Sequence, residues 1–336
     1  MKELAFFLAF CLCAAAYGCS EKDEQPAHRE EFFNYTVHFC SEEDCTQLLA
    51  AQLAAASESA NCALYRVSNE LLDFLYQRSD VTVKIVVDAK ATVPAKYVES
   101  GMVQKHKGTG IMHNKYCIID NRTIVTGSFN PTGAARNDYN NLLVINSTTL
   151  AAFYQTDFYG LLQNSRRQKS TAENIAVLNS TLVEVHFCPA GSCTAALIKE
   201  LRQANRSITF AAYSFTSLEI ANELIIKASQ GINVSGIIEK STTGSKYSKQ
   251  NALASNGVSL AIEVSKKLMH HKFFVIDGEI LITGSFNPTE NANTRNAENL
   301  VIIKSKEAAE KYAVEFNRIY SISQTMPLCC KQLPGP

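Results

Sequence analysis

The sequence has no excess of charge. Its 32 basic and 32 acidic side chains give a formal net charge of zero. A nucleic-acid-binding surface normally shows as a basic balance, so no broad footprint of that kind covers this chain, though a local basic cleft would be diluted in the total. Lys105-His106-Lys107 and Lys266-Lys267 are the candidates for such a cleft; a solvated loop is the alternative at each. The apolar run near the start, Leu4 to Gly18, has 15 residues, too few to span a bilayer comfortably. Repetition of the short period that builds solenoids is missing as well. What remains is 336 residues, 46% of them hydrophobic: enough for a real core, in one large domain or two of ordinary size.

Lys2 followed by that apolar run suits a secretory signal peptide over 1–18. Ala16-Tyr17-Gly18-Cys19 reads as a lipoprotein cleavage box with Cys19 as the lipidation candidate, or as an ordinary cleavage site. Both readings place the mature chain outside the cytoplasm, secreted or anchored to a membrane at its N-terminus. A polar linker over 19–33 follows. Cysteine usage agrees with export. Among 11 cysteines, Cys40 and Cys45 form C-x4-C, and Cys188 and Cys193 repeat it. Four thiolates in two pairs are a zinc-type set, but in an exported chain two local disulfides are the expected outcome. Cys62 and Cys117 sit in apolar runs aligned with Phe210 and Phe274, and read as buried packing residues. Cys329 and Cys330 fall in the tail, 326–336. Six Asn-x-Ser/Thr sequons (Asn34, Asn121, Asn146, Asn179, Asn205, Asn233) are usable only where exported proteins are glycosylated, and several near strands are expected to be silent.

The chain repeats itself once. "VHFCSEEDC" from Val37 returns as "VHFCPAGSC" from Val185, an offset of 148, and Tyr65 matches Tyr213 at the same offset. "MHNKYCIIDNRTIVTGSFNPT" from Met112 returns as "MHHKFFVIDGEILITGSFNPT" from Met269, an offset of 157. The second half therefore carries about nine extra residues (157 − 148), placed in "GSKYSKQNALASNG". The expected halves are 34–164 and 182–325, joined by a polar linker over 165–181. Strand-like and helical patterns alternate in each, which predicts α/β layers with a buried sheet, the halves packed about a pseudo-twofold axis in a single, monomeric chain.

In each copy His and Lys stand two residues apart, on one face of an extended segment. These are His113 and Lys115, and His270 and Lys272. Asp120 or Asp277 closes the strand, and Gly-Ser-x-Asn follows, ending in Asn130 or Asn287 with Ser128 or Ser285 inside it. The Asn-Pro-Thr that comes next predicts a helix start with Asn as its cap, where free N–H groups attract anions. Imidazole, ammonium, hydroxyl and amide together suit a phosphate. Two copies about one axis bring two imidazoles to one phosphate, one to attack phosphorus and one to protonate the leaving oxygen. No metal or other cofactor is demanded, because the two lysines supply positive charge.

The doubled H-x-K-x4-D-x6-G-S-x-N string resembles the phospholipase D superfamily over nearly the whole mature chain. The resemblance implies two α/β halves sharing one active site, and a phosphohistidine intermediate resolved by water or another alcohol. It implies that His113 and His270 are nucleophile and acid, that Lys115, Lys272, Asn130 and Asn287 hold phosphate oxygens, and that Ser128 and Ser285 line the pocket. Asp120 and Asp277 would serve structural ion pairs. The family's usual acidic partner of each histidine is Glu298 in the second half, but the aligned residue in the first is Asn140, with Asp138 two positions earlier. Pairing His270 with Glu298 and His113 with Asn140 predicts His270 as nucleophile and His113 as acid. The compact halves resemble the endonuclease branch, fused in one chain. The expected activity is phospholipase D-like phosphodiester hydrolysis, with a metal-independent endonuclease as the alternative. Retention of every motif residue argues against a non-catalytic phosphate-binding module.

Overall fold

The computed structural model describes residues 33–164 and 174–325. The expected signal segment, Cys19, most of the 19–33 linker, residues 165–173 and the tail with Cys329 and Cys330 lie outside the described residues.

The first half contributes β1 (Asn34–Phe39), β2 (Ser59–Leu64), β3 (Thr82–Val87), β4 (Val103–Lys105), β5 (Lys115–Ile119), β6 (Thr123–Gly127) and β7 (Asn141–Asn146). They form one sheet in the order β1-β7-β6-β5-β2-β3-β4. The second half contributes β8 (Ile175–Leu178), β9 (Thr181–Cys188), β10 (Ser207–Ala212), β11 (Asn233–Glu239), β12 (Ser259–Glu263), β13 (Lys272–Ile276), β14 (Ile280–Gly284), β15 (Glu298–Lys304) and β16 (Gln324–Thr325). Its sheet runs β16-β12-β11-β10-β13-β14-β15-β9-β8, the same core order with a strand added at each edge. In both, the central strands are antiparallel and the β2–β3–β4 or β10–β11–β12 side is parallel, joined through helices.

β8 corrects the expected linker. Ile175–Leu178 hairpins onto β9, and Ala176 and Leu178 are buried. Four apolar residues beside a polar stretch are too short for periodicity to reveal.

Ser147 and Ser305 cap the helices that close the halves, Thr148–Leu162 and Lys306–Tyr320, each hydroxyl accepting an N–H from the first turn. Each helix packs on its own sheet and also reaches the other half, Thr148–Leu162 at β9 and Lys306–Tyr320 at β1. Tyr154, Phe158, Tyr312 and Phe316 from these helices join strand residues of both halves in one continuous apolar core. Burying four large aromatic rings there contributes roughly 2–3 kcal/mol each. The docking of the halves therefore belongs to the fold itself.

Candidate active site

The two His-x-Lys segments enter β5 and β13 from loops that touch across the interface. The His113 N–H donates to the Ala297 carbonyl at 2.9 Å, and the His270 N–H donates to the Tyr139 carbonyl at 3.0 Å. Ala297 and Tyr139 in turn donate to Ile111 and Leu268, closing two matching parallel bridges. The next residue after each carbonyl is Glu298 or Asn140. Each imidazole thus meets a partner from the opposite half.

That geometry reverses the expected pairing. His113 Nδ1 lies 2.8 Å from Glu298 Oε2, and His270 Nδ1 lies 2.8 Å from Asn140 Oδ1. An ionised carboxylate only accepts, so His113 donates through Nδ1–H. Within-half alignment misassigned the pairs because the partner is set by the backbone bridges, which a sequence register does not show. Asp138 serves neither ring: its carboxylate accepts the Leu268 N–H at 2.9 Å.

Ser128 and Ser285 also differ from expectation. Both are fully buried, and their hydroxyls donate to the histidine partners: Ser128 to Asn140 Oδ1 at 3.0 Å, Ser285 to Glu298 Oε2 at 2.6 Å. Each serine oxygen then accepts a backbone N–H, from Asn141 or Asn299. They orient the partner and do not line a phosphate pocket.

Lys115 and Lys272 are buried, and each ammonium donates to the carbonyl of its own histidine residue at 2.6 Å. An ammonium has three donors, so two remain on each. Tyr65 lies against His113 at 4.8 Å between ring centres and beneath the Lys115 ammonium; Tyr213 repeats this at His270, 5.1 Å away, and Lys272. Asn130 and Asn287 follow the buried serines, and the side-chain oxygen of each is buried without a partner.

Burial and mutual repulsion dominate the electrostatics. Burial pushes Lys115 down to about 7, with Glu298 opposing. Burial and the Lys115 charge push Lys272 well below its ordinary value. His113 is lowered by burial and by both lysines, against the pull of Glu298. His270 is lowered well below its usual value by burial, then by Lys272, Lys115, His113 and His271, with no carboxylate to offset them. Burial raises the Glu298 carboxyl, but His113, Lys115 and the Ser285 hydroxyl outweigh it and hold it ionised. Two lysines and two histidines crowd around one carboxylate here, so the site favours a further negative charge, and a phosphodiester carries one.

A family model described as cardiolipin synthase, PLD-like domain, matches residues 49–162 and 197–320, most of both halves. The chain belongs to the phospholipase D superfamily. A phospholipase D from Rickettsia felis is 32% identical over 161 residues, 46% of this chain and 80% of that protein. A mitochondrial cardiolipin hydrolase from Xenopus tropicalis is 31% identical over 136 residues, 40% of this chain and 65% of the relative. The crystal structure of phosphatidylserine synthase from Haemophilus influenzae Rd KW20 matches 88% of this chain and 87% of its own at TM-score 0.68, with 12% identity, which shows the shared two-half fold. The chain is a phosphodiester hydrolase of the phospholipase D type.

The superfamily motif's aspartates stand away from this centre. Asp120 and Asp277 close the far ends of β5 and β13, roughly 20 Å along the strand from the histidines. Asp120 accepts the N–H groups of Ser57, Glu58 and Ser59. Asp277 accepts those of Asn205, Arg206 and Ser207. The expected ion pairs are instead backbone caps that fix the entry to β2 and β10. Nor does Asn-Pro-Thr cap a helix with its Asn. Thr132 and Thr289 precede short turns of 3₁₀ and α-helix, so Asn130 and Asn287 sit one tight turn earlier. Gly127 and Gly284 have φ of +146° and +132°, and a Cβ on either would lie 2.4 Å from the carbonyl of Asn141 or Asn299.

The cysteine pairs Cys40–Cys45 and Cys188–Cys193 are disulfides, which excludes the zinc alternative for these four. Cys62 and Cys117 are buried as expected but are joined to each other, facing across β2 and β5. Tyr65 and Tyr213 are the site residues that motif reading passed over; their shared offset of 148 was the available signal.

Proposed function

We propose that this chain hydrolyses phospholipid phosphodiesters, with His113 as nucleophile and His270 as proton donor. The observation that carries the assignment is the unlike pair of partners, a carboxylate on His113 and an amide on His270. Glu298 holds the His113 proton on Nδ1, directs the Nε2 lone pair at phosphorus, and balances the positive charge that attack places on the ring. Attack forms the P–Nε2 bond and breaks the bond from phosphorus to the leaving oxygen. The His270 ring, protonated once an anionic substrate offsets the lysines, passes its Nε2 proton to that oxygen. The amide of Asn140 stabilises imidazolium less than a carboxylate would, which makes His270 the stronger acid. In the second step neutral His270 takes a proton from water as the water oxygen attacks phosphorus. The P–N bond breaks and His113 is restored. A small alcohol can take the place of water, giving a transferred phosphatidyl group. Lys115, Lys272, Asn130 and Asn287 grip the non-bridging oxygens.

Phospholipid as substrate is supported by the phospholipase D and cardiolipin hydrolase names of the relatives and by the zero net charge. Export, with the chain secreted or anchored at its N-terminus, is part of the proposal, and the three disulfides among the described residues support the oxidising compartment it requires. One chain supplies both motifs, so we take the monomer as the active unit.

Two experiments test this. Offered phosphatidylcholine, phosphatidylglycerol and plasmid DNA in EDTA, the protein should release head groups and leave the plasmid intact; nicking without lipid turnover would establish the endonuclease instead. With a phosphodiester bearing a very good leaving group, His270→Ala should still accumulate phosphoenzyme on His113, and His113→Ala none. A phosphopeptide containing His270 would reverse the assignment.

A further inference from the structure

The sequons form a pattern that the chemistry above does not use. Eight Asn-x-Ser/Thr triplets occur in the chain: the six named earlier, plus Asn130-Pro131-Thr132 and Asn287-Pro288-Thr289. The last two stand at the active-site end of the sheets, and proline in the middle position makes them unusable as glycan acceptors. All six usable triplets lie at the opposite end. Asn34 begins β1, Asn146 ends β7, and Asn121 is in the β5–β6 turn. Asn179 is in the β8–β9 turn, Asn205 lies just before β10, and Asn233 begins β11. Registers confirm that these are one set of strand ends: Asn34 pairs with Asn146, Ser207 with Asn233, and Ile208 with Ile276 at the far end of β13.

Turn preference explains part of this. Asn121 and Asn179 have φ of 49° and 48°, a conformation asparagine tolerates better than most residues. It does not explain the hydroxyl two residues later, nor the choice of end. The active-site end is also rich in asparagine, at Asn114, Asn130, Asn140, Asn141, Asn287 and Asn299. None of those six heads a usable triplet.

Accessibility sorts the six. Asn34, Asn121, Asn179, Asn205 and Asn233 are exposed. Asn146 is half-buried, accepts the Thr123 hydroxyl at 2.7 Å, and donates its Nδ2 to Asn34 Oδ1 at 2.6 Å. A glycan on that nitrogen would break into this pair. Asn179 and Asn205 also donate Nδ2, to the carbonyls of Phe33 at 3.0 Å and Gln203 at 2.7 Å, but both residues are exposed and a glycosylated amide keeps one N–H for such a bond. Half-burial between two side chains therefore silences Asn146 alone, and the other five remain open.

We propose that the strand ends remote from the active site form an acceptor rim for N-linked oligosaccharide, carried by Asn34, Asn121, Asn179, Asn205 and Asn233. The proposal rests on the export reading above. The rim stands about 20 Å along the strands from the histidines, so a glycan coat covers the back of the molecule and leaves the cleft open to its substrate.

The test is cell-free translation of the full chain with glycosylation-competent microsomes. A second arm carries a heterologous secretory leader added in front of the full chain. In the leader arm, protease-protected chain should show up to five glycan steps that collapse on peptide N-glycosidase treatment. Glycopeptides should map to the five exposed positions. Each single Asn→Gln change there should remove one step, and Asn146→Gln should remove none. The glycosylated protein should keep its phosphodiesterase rate within about twofold of the deglycosylated form. Protected chain without glycans, or glycans confined to Asn146, would overturn the acceptor rim. Activity lost on glycosylation and recovered on its removal would overturn the separation of rim from cleft. Glycans in the leader arm, with the native arm left unprotected, would uphold the rim while refuting export.

Discussion

The two halves share a strand order and a motif, yet at matched positions they use different chemistry. Where the first half joins β2 to β5 through Cys62–Cys117, the second stacks Phe210 on Phe274, ring centres 5.5 Å apart, across β10 and β13. Where the second half presents Glu298 to an imidazole, the first presents Asn140. The first substitution exchanges one way of tying two strands for another and leaves the lysines alike in place. The second changes the charge beside a reacting ring. A duplicated scaffold tolerates the first kind of divergence anywhere in its core, and the second only where the two copies have taken unequal parts.

The largest expected effect comes from erasing that inequality. Glu298→Gln keeps the shape of the site and removes the charge, and should lower kcat on the order of 10³-fold. Asn140→Ala should cost at most about tenfold. Losses of the same size from both would mean that the halves are chemically interchangeable, and steady-state kinetics on one lipid substrate decides it.

The structural comparison can be broken in the same way. Replacing Cys62 and Cys117 with alanine opens a link between residues 55 apart. It should cost about 4 kcal/mol, against about 2 kcal/mol for the short Cys40–Cys45 loop. Phe210→Ala in the other half should cost about 3–5 kcal/mol. Urea unfolding of the three variants shows whether the covalent and stacked ties are equivalent.

Two smaller effects sharpen the electrostatics. Lys115, Lys272, His113 and His270 are all lowered in the free site. An anion stabilises their protonated forms, so binding of inorganic sulfate, which does not itself titrate, should take up protons at pH 7.5. Calorimetry in buffers of different ionisation enthalpy measures the uptake; proton release would contradict the charge balance described here. Last, Asn140→Asp places a carboxylate on His270 and favours its imidazolium. The high-pH limb of kcat, where the acid loses its proton, should move upward by up to about one unit. A downward move would remove His270 from the acid's role.

The strand-like runs "YTVHFC", "VTVKIVV" and "KYCIID" made the sheets legible, and the doubled spacing of His, Lys and Gly-Ser-x-Asn made the site legible. What stayed hidden has a common cause. The crossed partners of the histidines, the duty of Ser128 and Ser285, and the Cys62–Cys117 link depend on which strands lie side by side. The Asp120 and Asp277 caps on loops more than 60 residues earlier depend on the same thing. Local periodicity reports which way a side chain faces and is silent about what it faces. Ile175–Leu178 was lost for another reason, since four residues are too few to establish any period.

The exchanged bridges at Ala297 and Tyr139 have a consequence for how such a chain can change over generations. In an assembly of two identical copies, every mutation appears twice, and exchanging one carboxylate for an amide exchanges both. Once the copies share a chain, each drifts alone, but the imidazole that feels a change belongs to the other copy. The reactivity of the first half's histidine is thus inherited through the second half's sequence. A chimaera of two first halves would hold two amides and no carboxylate; a chimaera of two second halves would hold two carboxylates and give both imidazoles the same partner.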